Sequence, residues 1–224
     1  MSRQILAVVG SPRPHGTSAS LARYLTDALA ARGWETHTLQ ACRAVRDEAC
    51  WAELEQRFLA ADVIVISTAL YADSLPAELT LALERLAAVC ASRPAAPAQR
   101  LLAIVQCGFI ESHQNDVAVD ICRLFARQAG IDWAGGLAFG GGGMVDGADM
   151  AAAGARCPHL RHALDLAVAA VDAGTDLPPE ALAAARRRPL PVWLYAFMAN
   201  LSMLREARKR GVLRRLNAQP YRRR

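Results

Sequence analysis

An apolar run near the start of the chain, Ile5-Leu-Ala-Val-Val9, constrains the fold more than any other stretch, because it passes directly into Gly10-Ser-Pro-Arg-Pro-His-Gly-Thr-Ser18. Five consecutive apolar residues suit a strand covered on both faces, the kind found in parallel sheets with helices on either side. A helix is expected after the loop: Thr17 or Ser18 can cap it, and Leu21, Tyr24, Leu25, Ala28 and Leu29 recur at helical spacing. The amides at such a helix start, with the hydroxyls of Ser11, Thr17 and Ser18, make a cradle for a phosphate. Arg13 can add a charge-assisted bond.

What the loop lacks narrows the ligand. A nucleoside triphosphate loop has four residues between its glycines and then a lysine; here five residues separate Gly10 from Gly16, and Thr17 stands in the lysine position. The dinucleotide fingerprint needs closely spaced glycines so that backbone can approach a pyrophosphate, and Ser11-Pro-Arg-Pro-His15 fills that space. A single terminal phosphomonoester fits better. The plain alternative is a strand-to-helix turn punctuated by proline and glycine.

The chain has 224 residues, 53% of them apolar, enough for one core of ordinary size with a short appendage. Ile5 to Gly10 is too short for a secretory core, so a cytoplasmic location is expected, at most peripheral to the inner face of a membrane. The six cysteines, at positions 42, 50, 90, 107, 122 and 157, form no paired motif and read as free thiols. Charge is divided unevenly. Residues 1–185 carry 14 basic and 20 acidic side chains, and residues 186–224 carry 12 basic and 1 acidic. The excess of base belongs to the tail, so nucleic-acid binding is not expected of the body.

Further along, Trp34 to Leu39 reads as a second strand and residues 47–59 as a helix with an exposed acidic face. Asp62-Val-Ile-Val-Ile-Ser-Thr68 is a third strand leading into Ala69-Leu-Tyr-Ala-Asp-Ser-Leu-Pro76, with Pro76 in the first turn of a helix through Leu79, Leu83 and Leu86. Pro94 and Pro97 interrupt the pattern before a fourth strand, Leu101 to Gln106. A helix through Val117, Ile121, Leu124 and Phe125 ends near Gly130. The fifth strand, Ile131 to Phe139, contains Gly135-Gly136, and Gly140 to Gly143 make a flexible or closely approached loop. The spacing gives an α/β fold, a doubly wound five-stranded parallel sheet of order 2-1-3-4-5. In that order the loops after strands one, three and four converge.

Gly10-Ser-Pro-Arg13 with Gly16-Thr-Ser18, Asp62 to Thr68, and Tyr71 through Leu75-Pro76 resemble the NADPH-dependent FMN reductase family of the flavodoxin-like fold, over about residues 3–173. The resemblance implies FMN as cofactor and NADPH or NADH as electron donor. It also implies that Ser11, Arg13, Thr17 and Ser18 hold the phosphate, that Thr68, Leu70, Tyr71 and Ala72 border the flavin ring, and that Cys107, Gly108 and Phe109 approach its other side. Hydride would then pass through the flavin to a quinone, a free flavin or another small electrophile, with no catalytic side chain required. A flavodoxin-like electron carrier reduced by a partner, or a non-catalytic scaffold, stays open as an alternative. Asp73 departs from the family pattern and is expected to face outward. Glu111 and His113 read as helix-start or surface residues, and Asp116 and Asp120 lack a metal partner set.

A flavin-binding domain is therefore expected over residues 1–176 and a basic, helical extension over 177–224. In the extension, Val192-Trp-Leu-Tyr-Ala-Phe-Met-Ala199 with Leu201, Met203 and Leu204 is too short to span a membrane before the charges begin. It can lie on the body, complete a homodimer, or rest on a membrane surface or an acidic protein.

Overall fold

The computed structural model describes residues 3–92, 98–145 and 147–219. Pro94 and Pro97, expected to break the pattern before the fourth strand, lie outside the described residues. In order the elements are β1 (Gln4–Val9), α1 (Thr17–Ala30), β2 (Glu35–Gln40), α2 (Ala41–Ala44), α3 (Glu48–Ala60), β3 (Val63–Ala69), α4 (Ala77–Ala91), β4 (Arg100–Cys107), α5 (Asp116–Ala129), β5 (Asp132–Gly140), α6 (Met150–Ala153), α7 (Pro158–Ala173), α8 (Pro179–Arg186) and α9 (Val192–Lys209). The strands form one parallel sheet in the order β2-β1-β3-β4-β5, the expected arrangement.

Alternation along β1 shows why its apolar run is continuous. Ile5, Ala7 and Val9 pack toward α1 and α7, together with Val63, Val65, Leu102 and Ile104. Leu6 and Val8 pack the opposite way, with Ile64, Ile66, Leu101 and Ala103, against α3, α4 and α5. Each apolar residue of β1 therefore meets a helix layer whichever way it points, and a polar side chain in the middle of β1 would be buried without a partner. Polarity returns at the carboxyl ends, in Ser67, Thr68 and Gln106.

Three further details fix the frame. Pro76 sits at the N-cap of α4, one position before the first turn. Gly130 and Gly174 close α5 and α7 in the left-handed conformation. In β5, register shifts between Leu101 and Leu102 of β4, whose partners are Trp133 and Gly135, so Ala134 is the extra residue of a bulge. Gly135 has φ +129, and a Cβ there would stand 2.9 Å from that of Leu177. Gly135 thus opens room for the segment after α7, and Gly136 opens room on the other face for Val119 and Trp133. The Leu177 amide donates to the Ala134 carbonyl (2.8 Å), and Ala181 and Ala185 enter the same core as α1 and α7.

The chain divides into two compact units after Pro189. Leu177 to Arg186, grouped with the extension on sequence grounds, packs within the first. The second, Leu190–Arg224, holds α9 and a short 3-10 turn, Leu213–Arg215.

Candidate functional site

The carboxyl ends of β1, β3, β4 and β5 surround a cleft of about 550 Å³. Its walls are Ser11 to Thr17 without Pro12, then Ala69, Leu70 and Tyr71, then Gln106, Cys107 and Gly108, and finally Gly142 and Gly143. The volume is in the range of small-molecule and cofactor sites. Among the described residues no aspartate or glutamate lines it, while Arg13 and His15 do. Its polar bias therefore favours an anion.

At the first wall the amides of the opening turn of α1 have no intrahelical acceptor, because no residue precedes them in the helix. Gly16 is the N-cap, no side chain among the described residues caps the end, and no acidic residue occupies the first turn. These donors carry the positive end of a fourteen-residue helix dipole. Gly10 allows the strand to reach this turn: its amide donates to the Ser67 carbonyl (2.9 Å), and its bare Cα faces Thr68 and Leu79.

The expected phosphate residues divide into two groups. Ser11, Arg13 and Thr17 line the cleft. Ser18 is fully buried outside the lining, and its Oγ has no hydrogen-bond partner among the described residues. The Thr17 hydroxyl donates to the Gly142 carbonyl (3.0 Å), which ties the first loop to the last.

Of the expected ring-side residues, Leu70 and Tyr71 line the cleft. Thr68 is buried beneath Gly10, where its hydroxyl donates to the Ala69 carbonyl (3.2 Å). Ala72 and Asp73 form the tip of a two-residue turn with φ +46 and +60, closed by reciprocal Tyr71–Ser74 backbone bonds of 2.9 and 3.0 Å. Ala72 and Asp73 are both exposed and lie outside the lining, and Asp73 adds no carboxylate to the cleft wall. The turn leaves Tyr71 at the rim, about two-fifths exposed.

At the third wall, Cys107 and Gly108 line the cleft, whereas the Phe109 side chain points largely into solvent. The Cys107 thiol is pushed up from its usual range by burial, an effect partly opposed by hydrogen bonds with Phe109 and Asn115. Asn115 is the fixing residue of this loop. Fully buried, it donates to Cys107 Sγ (3.4 Å) and to the carbonyls of Ser112 (3.1 Å) and Phe139 (3.0 Å). Nothing in its sequence neighbourhood singles it out.

Gln106 lines the cleft although it is absent from the expected site residues; the signal that could have found it is a polar residue ending an apolar strand. Its side chain occupies the place a Cβ on Gly142 would take. Gly140 lies so close to the Ile110 carbonyl that a Cβ could not be accommodated. The glycine run is thus closely approached by other parts of the chain, and Gly142–Met144 makes one 3-10 turn. Glu111 and His113 do not line the cleft; Asp116 pairs with Arg186 (2.6 Å) and Asp120 with Arg123 (2.9 Å). Among the described residues no three histidine, cysteine or carboxylate groups are placed to hold a metal.

An open parallel sheet of this order, with a helix start and a rim tyrosine meeting where the strand order reverses, places the chain in the flavodoxin-like fold class. The model of the NADPH-dependent FMN reductase family matches residues 3–131, more than half of the chain, and the chain belongs to that family. It is an FMN-dependent NAD(P)H oxidoreductase. Among solved structures it is similar to an NADH:FMN oxidoreductase in its apo form, with 18% identity over 85% of this chain and 97% of the other and a TM-score of 0.56. It is also similar to an FMN-dependent NADH-azoreductase from Bacillus anthracis in complex with FMN, with 12% identity over 75% and 99% and a TM-score of 0.52. At these identities the likeness concerns the fold. No curated protein matches the chain significantly.

The residues present fit the cofactor on three counts. Among the described residues the helix start has no side-chain cap, the lining has no carboxylate to repel a phosphate, and a buried hydroxyl beside the turn lacks a partner.

Proposed function

We propose that this cleft holds FMN with its phosphate on the Ser11–Ser18 turn and its ring beside Leu70 and Tyr71, and that the electrons leave to a small planar acceptor, a quinone or a free flavin. The observation that carries this reading is the polarity gradient of the cleft. Amides, hydroxyls and Arg13 collect at the end of β1, while Leu70 and Tyr71 stand at the end of β3. FMN, when bound, supplies the hydride-accepting and electron-donating chemistry.

The chain's own residues do the placing. The α1 amides and the Ser11 hydroxyl provide donors for a phosphate, and Arg13, exposed at the rim, supplies a charge that can swing onto it. Leu70 and Tyr71 offer an apolar edge and an aromatic face against which a planar ring can stack. Leu70 is held in position by its amide, which donates to the Gln106 carbonyl (2.8 Å). Among the described residues nothing lies within 4 Å of where a Cβ on Gly108 or Gly143 would be, so the space over these two glycines leaves room for donor and acceptor to use the same face in turn.

Titration of cofactor-free protein with FMN tests the placement. Ser11→Ala combined with Thr17→Ala should weaken FMN binding on the order of 100-fold or more, because two hydroxyl donors to a charged acceptor are lost. Unchanged affinity would reject the assignment. Under anaerobic conditions NADH or NADPH should bleach the bound flavin directly and a quinone should restore its colour. Bleaching that requires a partner reductase would favour the electron-carrier alternative.

A further inference from the structure

The second compact unit, Leu190–Arg224, has a composition that the redox chemistry does not use. Its helix α9 begins with eight apolar residues, Val192 to Ala199, which cover every side of the first two turns. Trp193, Phe197, Leu201 and Leu204 recur at spacings of four, four and three, so they share one face, and they are 72%, 62%, 36% and 46% exposed. No charged residue occurs from Val192 to Leu204; Arg205, Arg208, Lys209 and Arg210 come at once after it, then Arg214 and Arg215. Across the unit nine basic side chains stand against one acidic one, Glu206, which is paired with Arg210 (2.7 Å).

We infer that this unit docks the protein on an anionic lipid surface, the apolar half of α9 entering the acyl boundary and the basic half lying among the phosphates. Two observations select a bilayer. A protein groove covers one face of a helix, whereas α9 is apolar all round at its start, and immersion covers all of it. The charge sequence supplies the second: a symmetric pair of these units would set nine basic residues against nine, with only Glu206 of each to offset them, and anionic headgroups provide the missing counter-charge. No helix among the described residues is long and apolar enough to cross a membrane, so α9 enters the surface without spanning it. Each basic residue reaching the surface should raise binding by about five-fold, an increment that salt erodes.

The test uses the full-length, FMN-loaded protein with vesicles of phosphatidylcholine alone or with one-third phosphatidylglycerol. The protein should sediment with the anionic vesicles, remain in solution with the neutral ones, and be released by salt. Trp193→Glu with Phe197→Glu should weaken binding on the order of 100-fold, since both substitutions put charge where apolar surface entered the lipid. Its flavin spectrum and NAD(P)H turnover in solution should be unchanged. Arg214→Glu with Arg215→Glu, which leaves the apolar face intact, should separately weaken binding to the anionic vesicles by about 25-fold or more.

The inference fails if the unaltered protein ignores anionic vesicles, or if it binds them equally well after the Trp193 and Phe197 changes. It also fails if it is a dimer in solution that those changes convert to monomers while vesicle binding is absent. That last result would assign the face to a second copy.

Discussion

Replacing Gly10 by alanine probes how tightly the phosphate turn is joined to the sheet. A Cβ at Gly10 would stand 2.5 Å from Leu79 Cδ2, 2.6 Å from Thr68 Oγ1 and 2.9 Å from Thr68 Cβ. Non-bonded carbons settle about 3.5–4.0 Å apart, so each contact is short by about an ångström. Leu79 can turn aside only into filled core, since it is fully buried. Thr68 cannot turn aside at all where its Cβ is concerned, because that atom is fixed by the β3 backbone.

Overpacking of this sort costs about 1–3 kcal/mol, and two hemmed-in neighbours place Gly10→Ala near the upper end. For a unit of this size that corresponds to a fall of about 6–12 °C in melting temperature. Gly143→Ala is the matched control in the loop after β5, where nothing among the described residues lies within 4 Å of the added methyl. Its stability should stay within about 0.5 kcal/mol of the parent. Thermal unfolding of cofactor-free protein monitored by circular dichroism reads both. A Gly10→Ala variant that melts with the Gly143→Ala control would show that the end of β1 has slack, and the junction would not be rigid.

Two further outcomes arise from local geometry. Ala72 holds φ +46 at the tip of the Tyr71–Ser74 turn, a conformation that costs an L-residue about 1–2 kcal/mol and glycine very little. After the greater freedom of unfolded glycine is subtracted, Ala72→Gly should gain about 0.5–1 kcal/mol in urea unfolding, and a loss of stability would contradict the strain. In the core, burial pushes the Cys122 thiol up to about 12. The folded chain therefore keeps this proton after the unfolded chain has released it near the ordinary thiol value, so stability present below about pH 9 should decline above it by about 1.4 kcal/mol per pH unit for this group. Urea unfolding at pH 8 to 10 should show a shallower alkaline decline in Cys122→Ala; identical slopes would refute the assignment.

The sheet was legible because its strands are covered twice, and a strand covered twice must be apolar without interruption, as β1, β3 and β4 are. The convergence of their loops is then a matter of strand order alone. Of the residues expected at the cofactor, those that line the cleft, Ser11, Arg13, Thr17, Leu70, Tyr71, Cys107 and Gly108, sit in turns whose chemistry is local.

Ser18 and Thr68 look equivalent to them in sequence, but each is turned under its loop and fully buried. Thr68 stands near the end of β3, where direction depends on a single step of the pleat, and Ser18 in the first turn of α1, where it depends on helix phase; hydroxyl residues carry no apolar pattern to reveal either. The parts that sequence could not supply are those made by distant stretches of chain. Gly140 and Gly142 are glycines because Ile110 and Gln106 lie against them, and Gly135 because Leu177 does. Asn115 matters because Cys107 and Phe139 come within its reach only after β4 and β5 have paired.

A hydroxyl carries a single proton, and the one on Thr17 is already given to the Gly142 carbonyl. Toward an incoming anion Thr17 therefore presents lone pairs until that bond is broken, so the α1 amides, the Ser11 hydroxyl and Arg13 must make first contact and the threonine can contribute only afterwards. The order of arrival at this doorway is thus set by one proton, and the moment Thr17 changes allegiance is the moment the carbonyl of Gly142 is released.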